Sequence, residues 1–208
     1  MTLDLAYVRR SVDAAFSLAM RDERAWSRFD LTTEGFYRSF AAIFLVIPIN
    51  ILIDYLGARL SEDRRLERQE PVIPQTYEFA DALFSTATLV TQWLIFPLAM
   101  IVVLRFLGLT HRYSALVIAH NWGTVVVALV NLPAFLLYAA GLISVDQAID
   151  LNFIVLGLTL YYRYYIAQTA LDAGWPTAAS ITLLEFLLQL HFAIAVSLTA
   201  HLWLPAAS

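Results

Sequence analysis

The chain has 208 residues and a net charge of −4, with 60% hydrophobic but only 14% charged residues. Soluble domains carry about a quarter charged residues, so this chain has too few charged side chains to cover a surface in water. Cysteine is absent, which excludes disulfides, thiolate metal sites and cysteine nucleophiles. No basic run indicates nucleic-acid binding. The composition therefore predicts an all-α membrane protein whose first partner is the lipid bilayer.

The first 35 residues are predicted to form a cytoplasmic N-terminal segment. Charged residues interrupt every apolar stretch in it, so no cleaved signal peptide is expected and the first span acts as the membrane signal. This segment can lie in the headgroup plane or pack on the cytoplasmic end of the bundle, and the pattern fits both. Residues 4–20 predict an amphipathic helix because apolar side chains recur at helical spacing, at Leu5, Val8, Val12, Phe16 and Ala19.

Residues 36–208 are predicted to form a bundle of about five transmembrane helices. Asp30 is expected to cap the helix that leads into the first span. In the loop over residues 59–77, Ser61 is expected to start a separate charged helix that Pro71 and Pro74 end. Apolar stretches long enough to cross a bilayer place the spans at about 36–58, 80–106, 113–140, 151–171 and 177–203.

The distribution of arginine predicts the orientation of the bundle. With the N-terminus inside, eight arginines lie in the cytoplasmic segments or at the cytoplasmic ends of the spans, where Arg38 and Arg105 are counted, against four in the outer segments. The positive-inside rule then favours a cytoplasmic N-terminus, and five spans place the C-terminus in the periplasm. All thirteen basic residues are arginine, which is typical of a high-GC bacterial genome. We therefore expect a multi-pass protein of the bacterial inner membrane.

Three ionisable residues inside the predicted spans form the candidate site. Arg163 and Glu185 lie eleven residues before and after Gly174, in the turn between spans four and five. At about 1.5 Å per residue they reach the same depth on adjacent antiparallel helices. His120 lies at a similar level in span three. Because an ionisable side chain in the bilayer costs several kcal/mol unless it is paired, the three are predicted to form one buried polar layer.

Hydroxyl, amide and aromatic side chains near this layer are expected to support it, because they can satisfy a buried guanidinium or carboxylate. One interpretation of the layer is a registry device that holds the helices together. A second interpretation is a transport or proton-relay site. A third, which the pattern favours less, is a catalytic site. The expected supporting residues are Tyr161, Tyr162, Tyr165, Gln189 and Asn121.

Catalytic signatures are missing from the sequence. It contains no H-E-x-x-H, G-x-S-x-G or P-loop motif, and no acidic pair is spaced like a metal site or an aspartyl dyad. The prediction is therefore a protein without catalytic residues, metal or cofactor.

The residues before the first span carry a family resemblance. Phe29-Asp30-Leu31, followed by residues 35–40 running into the span, resembles five-span inner-membrane proteins of alphaproteobacteria and, distantly, the Yip1 superfamily. Yip1-type chains have a cytoplasmic N-terminal segment, an Asp-Leu motif before the first span and five closely spaced spans. The Gly-Pro that usually follows the motif is missing here. The resemblance implies a non-enzymatic protein that works through protein or lipid contacts, and it carries no site residues.

The leading interpretation is a non-catalytic organiser or accessory subunit that binds lipid, other membrane proteins or itself as a homo-oligomer. The alternative is a small transporter or channel subunit that uses the His120, Arg163 and Glu185 layer. A wet cavity reaching Glu185 would favour transport. A dry Arg163–Glu185 pair beside a broad apolar groove would favour the organiser.

Overall fold

A computed structural model describes residues 4–71 and 77–203, and within these ranges the chain is helical with no strand. Pro74 and residues 204–208 lie outside the described residues. The predicted all-α bundle is confirmed. The α-helices of the described residues are α1 (Leu5–Ala19), α2 (Thr33–Ser39), α3 (Ile43–Glu67), α4 (Phe79–Phe106), α5 (Tyr113–Ala139), α6 (Val145–Leu171) and α7 (Trp175–Trp203).

Four helical segments of the described chain are long and apolar enough to cross a membrane, judged by length and composition. They reach a mean hydropathy of 1.8 to 2.1 over 18 residues. The 27-residue α6 is not among them, and it carries Asp146, Asp150 and Arg163. The chain is thus a membrane protein with four candidate spans, which are Thr33–Glu67, Phe79–Phe106, Thr110–Ala139 and Trp175–Val196.

The region after the first span differs from the prediction. α3 continues without a break to Glu67, so the expected loop from residue 59 and the separate helix at Ser61 are wrong. Residues 58–67 contain good helix formers and neither glycine nor proline, so nothing ends the helix there. The charged residues of this stretch extend α3 beyond its apolar part.

The first turns of α2 and α6 are set by capping side chains. Thr32, and not Asp30, caps α2, because its hydroxyl accepts a hydrogen bond from the Gly35 N–H at 3.1 Å. Asp30 accepts bonds from the Thr32 hydroxyl and N–H, at 2.6 and 3.1 Å, and these bonds lower the pKa of Asp30. α6 starts at residue 145, six residues before the predicted span, because Ser144 and Gln147 form a capping box.

The N-terminal helix α1 packs against α5 and α6. The Tyr7 ring meets Trp122 of α5 edge-on, with ring centroids 5.7 Å apart. The Tyr162 hydroxyl of α6 donates a hydrogen bond to the Ala15 carbonyl at 2.8 Å. The core of the bundle therefore includes residues of the N-terminal segment.

The buried face of α1 coincides only in part with the predicted apolar face. Val8, Val12 and Ala19 pack half-buried against the core, while Leu5 is 81% and Phe16 40% exposed. Three of the side chains that enter the core are small, at Ser11, Ala14 and Ala15, so α1 can approach α5 and α6 closely, and a count of apolar residues cannot detect this preference. The buried residues of α1 are Tyr7, Ser11, Ala14, Ala15 and Leu18.

Helix α5 is central, and α6 lies between α5 and α7. Short turns over residues 140–144 and 172–174 connect these three helices, so neighbours run antiparallel. Gly123 allows α5 and α6 to approach closely, since a Cβ at this position would lie 2.7 Å from Ile166 Cδ1. This packing brings one side of each helix together, about a third of the way along α5 and α7 and about two thirds of the way along the antiparallel α6.

Candidate functional site

The side chains of His120, Arg163 and Glu185 meet inside the bundle. Glu185 Oε1 lies 2.9 Å from His120 Nε2 and 3.3 Å from Arg163 Nε. Each of the three residues is only 5 to 7% exposed. One carboxylate oxygen thus joins α5, α6 and α7, and we call these three residues the polar layer.

The rest of the Arg163 guanidinium is satisfied by α5. Nη1 donates to the His120 carbonyl at 3.0 Å, and Nη2 donates to the Thr124 hydroxyl at 2.7 Å. Thr124 lies one helical turn after His120, so both present acceptors to the same side of α6. Sequence reasoning missed Thr124, although its spacing of four residues from His120 was a usable signal.

The predicted supporting residues divide into Gln189, which bonds to Glu185, and four whose hydrogen bonds or ring contacts are to groups outside the layer. Gln189 Nε2 donates to Glu185 Oε1 at 3.3 Å, from one turn further along α7. Tyr162 bonds to α1, and Asn121 donates to the Ser39 hydroxyl at 2.9 Å. The rings of Tyr161 and Tyr165 lie 5.9 and 5.4 Å from the Arg21 guanidinium.

Helix geometry explains this division. Side chains one or two positions from a residue point to other faces of the helix, whereas those three or four positions away share its face. Tyr162 therefore packs on α1, and Tyr161 and Tyr165 pack on Arg21. Asn121, next to His120 in the chain, packs on α2. The expectation that the tyrosines satisfy the guanidinium is wrong.

His120 is held in one orientation by its neighbours. Its ring stacks on Phe96 of α4, with centroids 3.7 Å apart and planes 10° apart. Nε2 faces Glu185, while Nδ1 is buried and has no hydrogen-bond partner among the described residues. Because the Glu185 carboxylate can only accept, Nε2 carries a proton, and the burial of the ring favours a neutral imidazole with its proton on Nε2.

A cavity of about 80 Å³ lies against the polar layer, between α4 and α7. His120, Thr124 and Arg163 form part of its polar side. The wall residues from the two helices are Leu89, Gln92, Trp93, Ile95 and Phe96 of α4 and Glu185, Leu188, Gln189 and Phe192 of α7. Gln189 is exposed at its edge. The wall residues of α4 and α7 span about two turns near the middle of each helix, and no described loop residue lines the cavity. The cavity therefore opens sideways.

A second polar contact joins α3 and α4 away from the layer. Asn50 Nδ2 donates to Asp54 Oδ2 at 2.7 Å and to the Ser85 hydroxyl oxygen at 3.2 Å. The Ser85 hydroxyl also donates to Asp54 Oδ2. Within residues 4–71 and 77–203, no group of three or more His, Asp or Glu side chains is placed to hold a metal ion.

Four apolar helical segments, two of which carry residues of a buried polar layer, define an α-helical membrane protein. Comparisons with protein-family models, curated proteins and solved structures find no match for the chain. The resemblance of the Asp30-Leu31 region to the Yip1 superfamily therefore stays a prediction.

Replacing Thr124 by Val keeps the side-chain shape but removes the acceptor for Arg163 Nη2. We expect the free energy of unfolding to fall by about 1.5–3 kcal/mol, the usual range for a hydrogen bond to a charged group. Thr124→Ser keeps the hydroxyl and should lose less. Denaturant unfolding in mild detergent measures both variants. Equal losses for the two variants would show that the hydroxyl does not hold the guanidinium.

Proposed function

We propose that this chain is a non-catalytic five-span protein of the bacterial inner membrane, an organiser or accessory subunit that acts through contacts within the bilayer. The sideways opening of the cavity supports this function. Its walls lie near the middle of two apolar helices, α4 and α7, so a lipid or a helix of another membrane protein can reach the polar layer from the bilayer. A water-soluble partner has no comparable approach through residues that line the cavity.

The fifth span of this proposal is α6. Its 27 residues extend about 40 Å, enough to cross a bilayer. Short turns join it to α5 and α7, so it runs back between two candidate spans. Its arginine, Arg163, bonds to the His120 carbonyl of α5 and pairs with Glu185 of α7. These contacts explain how a helix of lower hydropathy can lie within the bilayer. In this topology α1 lies on the cytoplasmic side, with Leu5 and Phe16 toward the headgroups.

Alkaline phosphatase fusions test the orientation and the fifth span together, because the enzyme is active only in the periplasm. We expect activity after Ser208, and none after Arg112 or Gly174. Activity after Gly174 combined with none after Ser208 would mean that α6 does not cross. Activity after Arg112 would overturn the cytoplasmic placement of the N-terminus.

Site-specific photocrosslinking tests whether a bilayer component occupies the cavity. We expect p-benzoylphenylalanine in place of Leu188, which lines the cavity, to give an adduct of defined mass with a lipid or a membrane protein. The adjacent Leu187 is 38% exposed and does not line the cavity, so it serves as the matched control and should give only diffuse lipid adducts. The same products at both positions, or none at Leu188, would contradict the proposed function.

The second candidate function is a small transporter or channel subunit, alone or as a homo-oligomer. It is favoured by the hydrogen bond between His120 and Glu185 at the cavity wall, since such a pair can exchange a proton. Proteoliposomes that contain a pH-sensitive dye distinguish the two functions. The organiser predicts proton flux no faster than in protein-free vesicles. Faster flux that Glu185→Gln abolishes would favour transport.

A further inference from the structure

We propose that the cavity between α4 and α7 binds an amphiphile with an uncharged hydroxyl head group. The hydroxyl lies against the polar layer, and the hydrocarbon tail leaves between the two helices into the bilayer. The inference rests on the proposed function in one respect, since the ligand enters from the membrane. It adds the chemical class of the ligand, which neither the sequence nor the fold assigns.

Charge balance around the cavity excludes a charged head group. The ionisable residues that line it are His120, Arg163 and Glu185. The carboxylate of Glu185 already neutralises Arg163, and His120 is neutral by the tautomer assigned above. A carboxylate, phosphate or ammonium head group would add an uncompensated charge to a site of low dielectric constant, which is strongly unfavourable.

A carboxylate oxygen in the cavity wall calls for a head group that can donate a hydrogen bond. All the contacts that the polar layer makes to Glu185 go to Oε1, which leaves Oε2 as an acceptor without a protein partner among the described residues. Buried carboxylates are nearly always hydrogen-bonded, so this oxygen in the cavity wall indicates a ligand that donates to it. A hydroxyl can donate, whereas an ether oxygen only accepts.

The size and lining of the cavity favour a head group with a tail. About 80 Å³ of accessible space holds a hydroxyl and the first few carbons, because about 10–15 Å³ of such space is enough for one water. Half-buried apolar side chains surround the opening, at Leu89, Ile95, Leu188 and Phe192. A hydrocarbon tail would continue along them toward the lipid without exposing polar groups.

Fluorescence quenching of Trp93 in phosphatidylcholine nanodiscs tests the ligand class. The probe is 2-bromododecan-1-ol, whose bromine lies next to the head group. We expect saturable quenching that is lost in Trp93→Phe and reversed by dodecanol. Methyl dodecyl ether lacks the donor and should compete about tenfold more weakly, the equivalent of one hydrogen bond of about 1.4 kcal/mol. Dodecanoate, at a pH where it is ionised, and dodecyltrimethylammonium should not compete.

Two variants of α7 provide the matched controls. Leu188→Phe fills the opening and should abolish the saturable quenching, while Leu187→Phe should leave it unchanged. Equal competition by dodecanoate or by the ether would overturn the hydroxyl assignment. A defined crosslink at Leu188 without saturable quenching would overturn the inference but leave the proposed function intact. The absence of both the crosslink and the quenching would contradict both.

Discussion

Replacing either Arg163 or Glu185 by Leu is expected to lower the free energy of unfolding by about 3–5 kcal/mol, because each change leaves an uncompensated buried charge. Without Glu185, the guanidinium keeps the His120 carbonyl and the Thr124 hydroxyl but loses the one carboxylate that pairs with it among the described residues. Without Arg163, the carboxylate keeps only His120 and Gln189. Both variants should therefore unfold at lower denaturant concentration in the same detergent.

The double variant Arg163→Leu with Glu185→Leu should lose less than the sum of the two single changes. It removes both charges together, so the remaining cost is mainly the lost partner of His120 Nε2. A double-mutant cycle gives the coupling energy directly. Strictly additive losses would show that the two residues do not interact, and the polar layer would have to be abandoned.

The ion pair between Arg112 and Asp172 is the matched control for this cycle. Its atoms are also 3.3 Å apart, but the two side chains are 41% and 81% exposed. An exposed pair of this kind contributes at most about 1 kcal/mol because solvent screens it. A coupling energy for Arg163 and Glu185 no larger than that of this control would show that burial adds nothing to their interaction.

Deleting residues 1–20 should leave membrane insertion intact and destabilise the inserted bundle. Insertion should persist because the segment Thr33–Glu67 supplies an apolar first span. Stability should fall by at least about 3 kcal/mol, since the deletion removes the fully buried Leu18, the buried Tyr7 and the cover over Trp122. Carbonate extraction measures insertion, and denaturant unfolding measures stability.

A single substitution tests the same contact without truncation. Tyr162→Phe removes only the hydrogen bond to the Ala15 carbonyl and should cost about 0.5–1.5 kcal/mol. Tyr161→Phe is the control, because Tyr161 is 46% exposed and should have almost no effect. Unchanged stability of the truncated protein would mean that α1 is a surface helix outside the core. Failure of the truncated protein to insert would make the segment a targeting element.

Depth along the helices could be worked out from the sequence because it depends on local geometry. Helical rise is the same in every α-helix, so the equal spacing of Arg163 and Glu185 from Gly174 was enough to place them at one level. Hydropathy likewise located α4, at Phe79–Phe106, to within one residue of the span at 80–106. The composition was sufficient to identify a helical membrane protein.

Rotation about the helix axes was decided only by the tertiary structure. Which face of α1 enters the core depends on how closely its small residues, such as Ala14 and Ala15, can approach α5 and α6. Which neighbours satisfy Arg163 depends on the side that α5 turns toward it, and this selected Thr124 over the adjacent tyrosines. The cavity between α4 and α7 is also created by packing between helices that are distant in the chain. Periodicity gives the spacing of side chains on one helix, but contacts between helices arise from the combined packing of all of them.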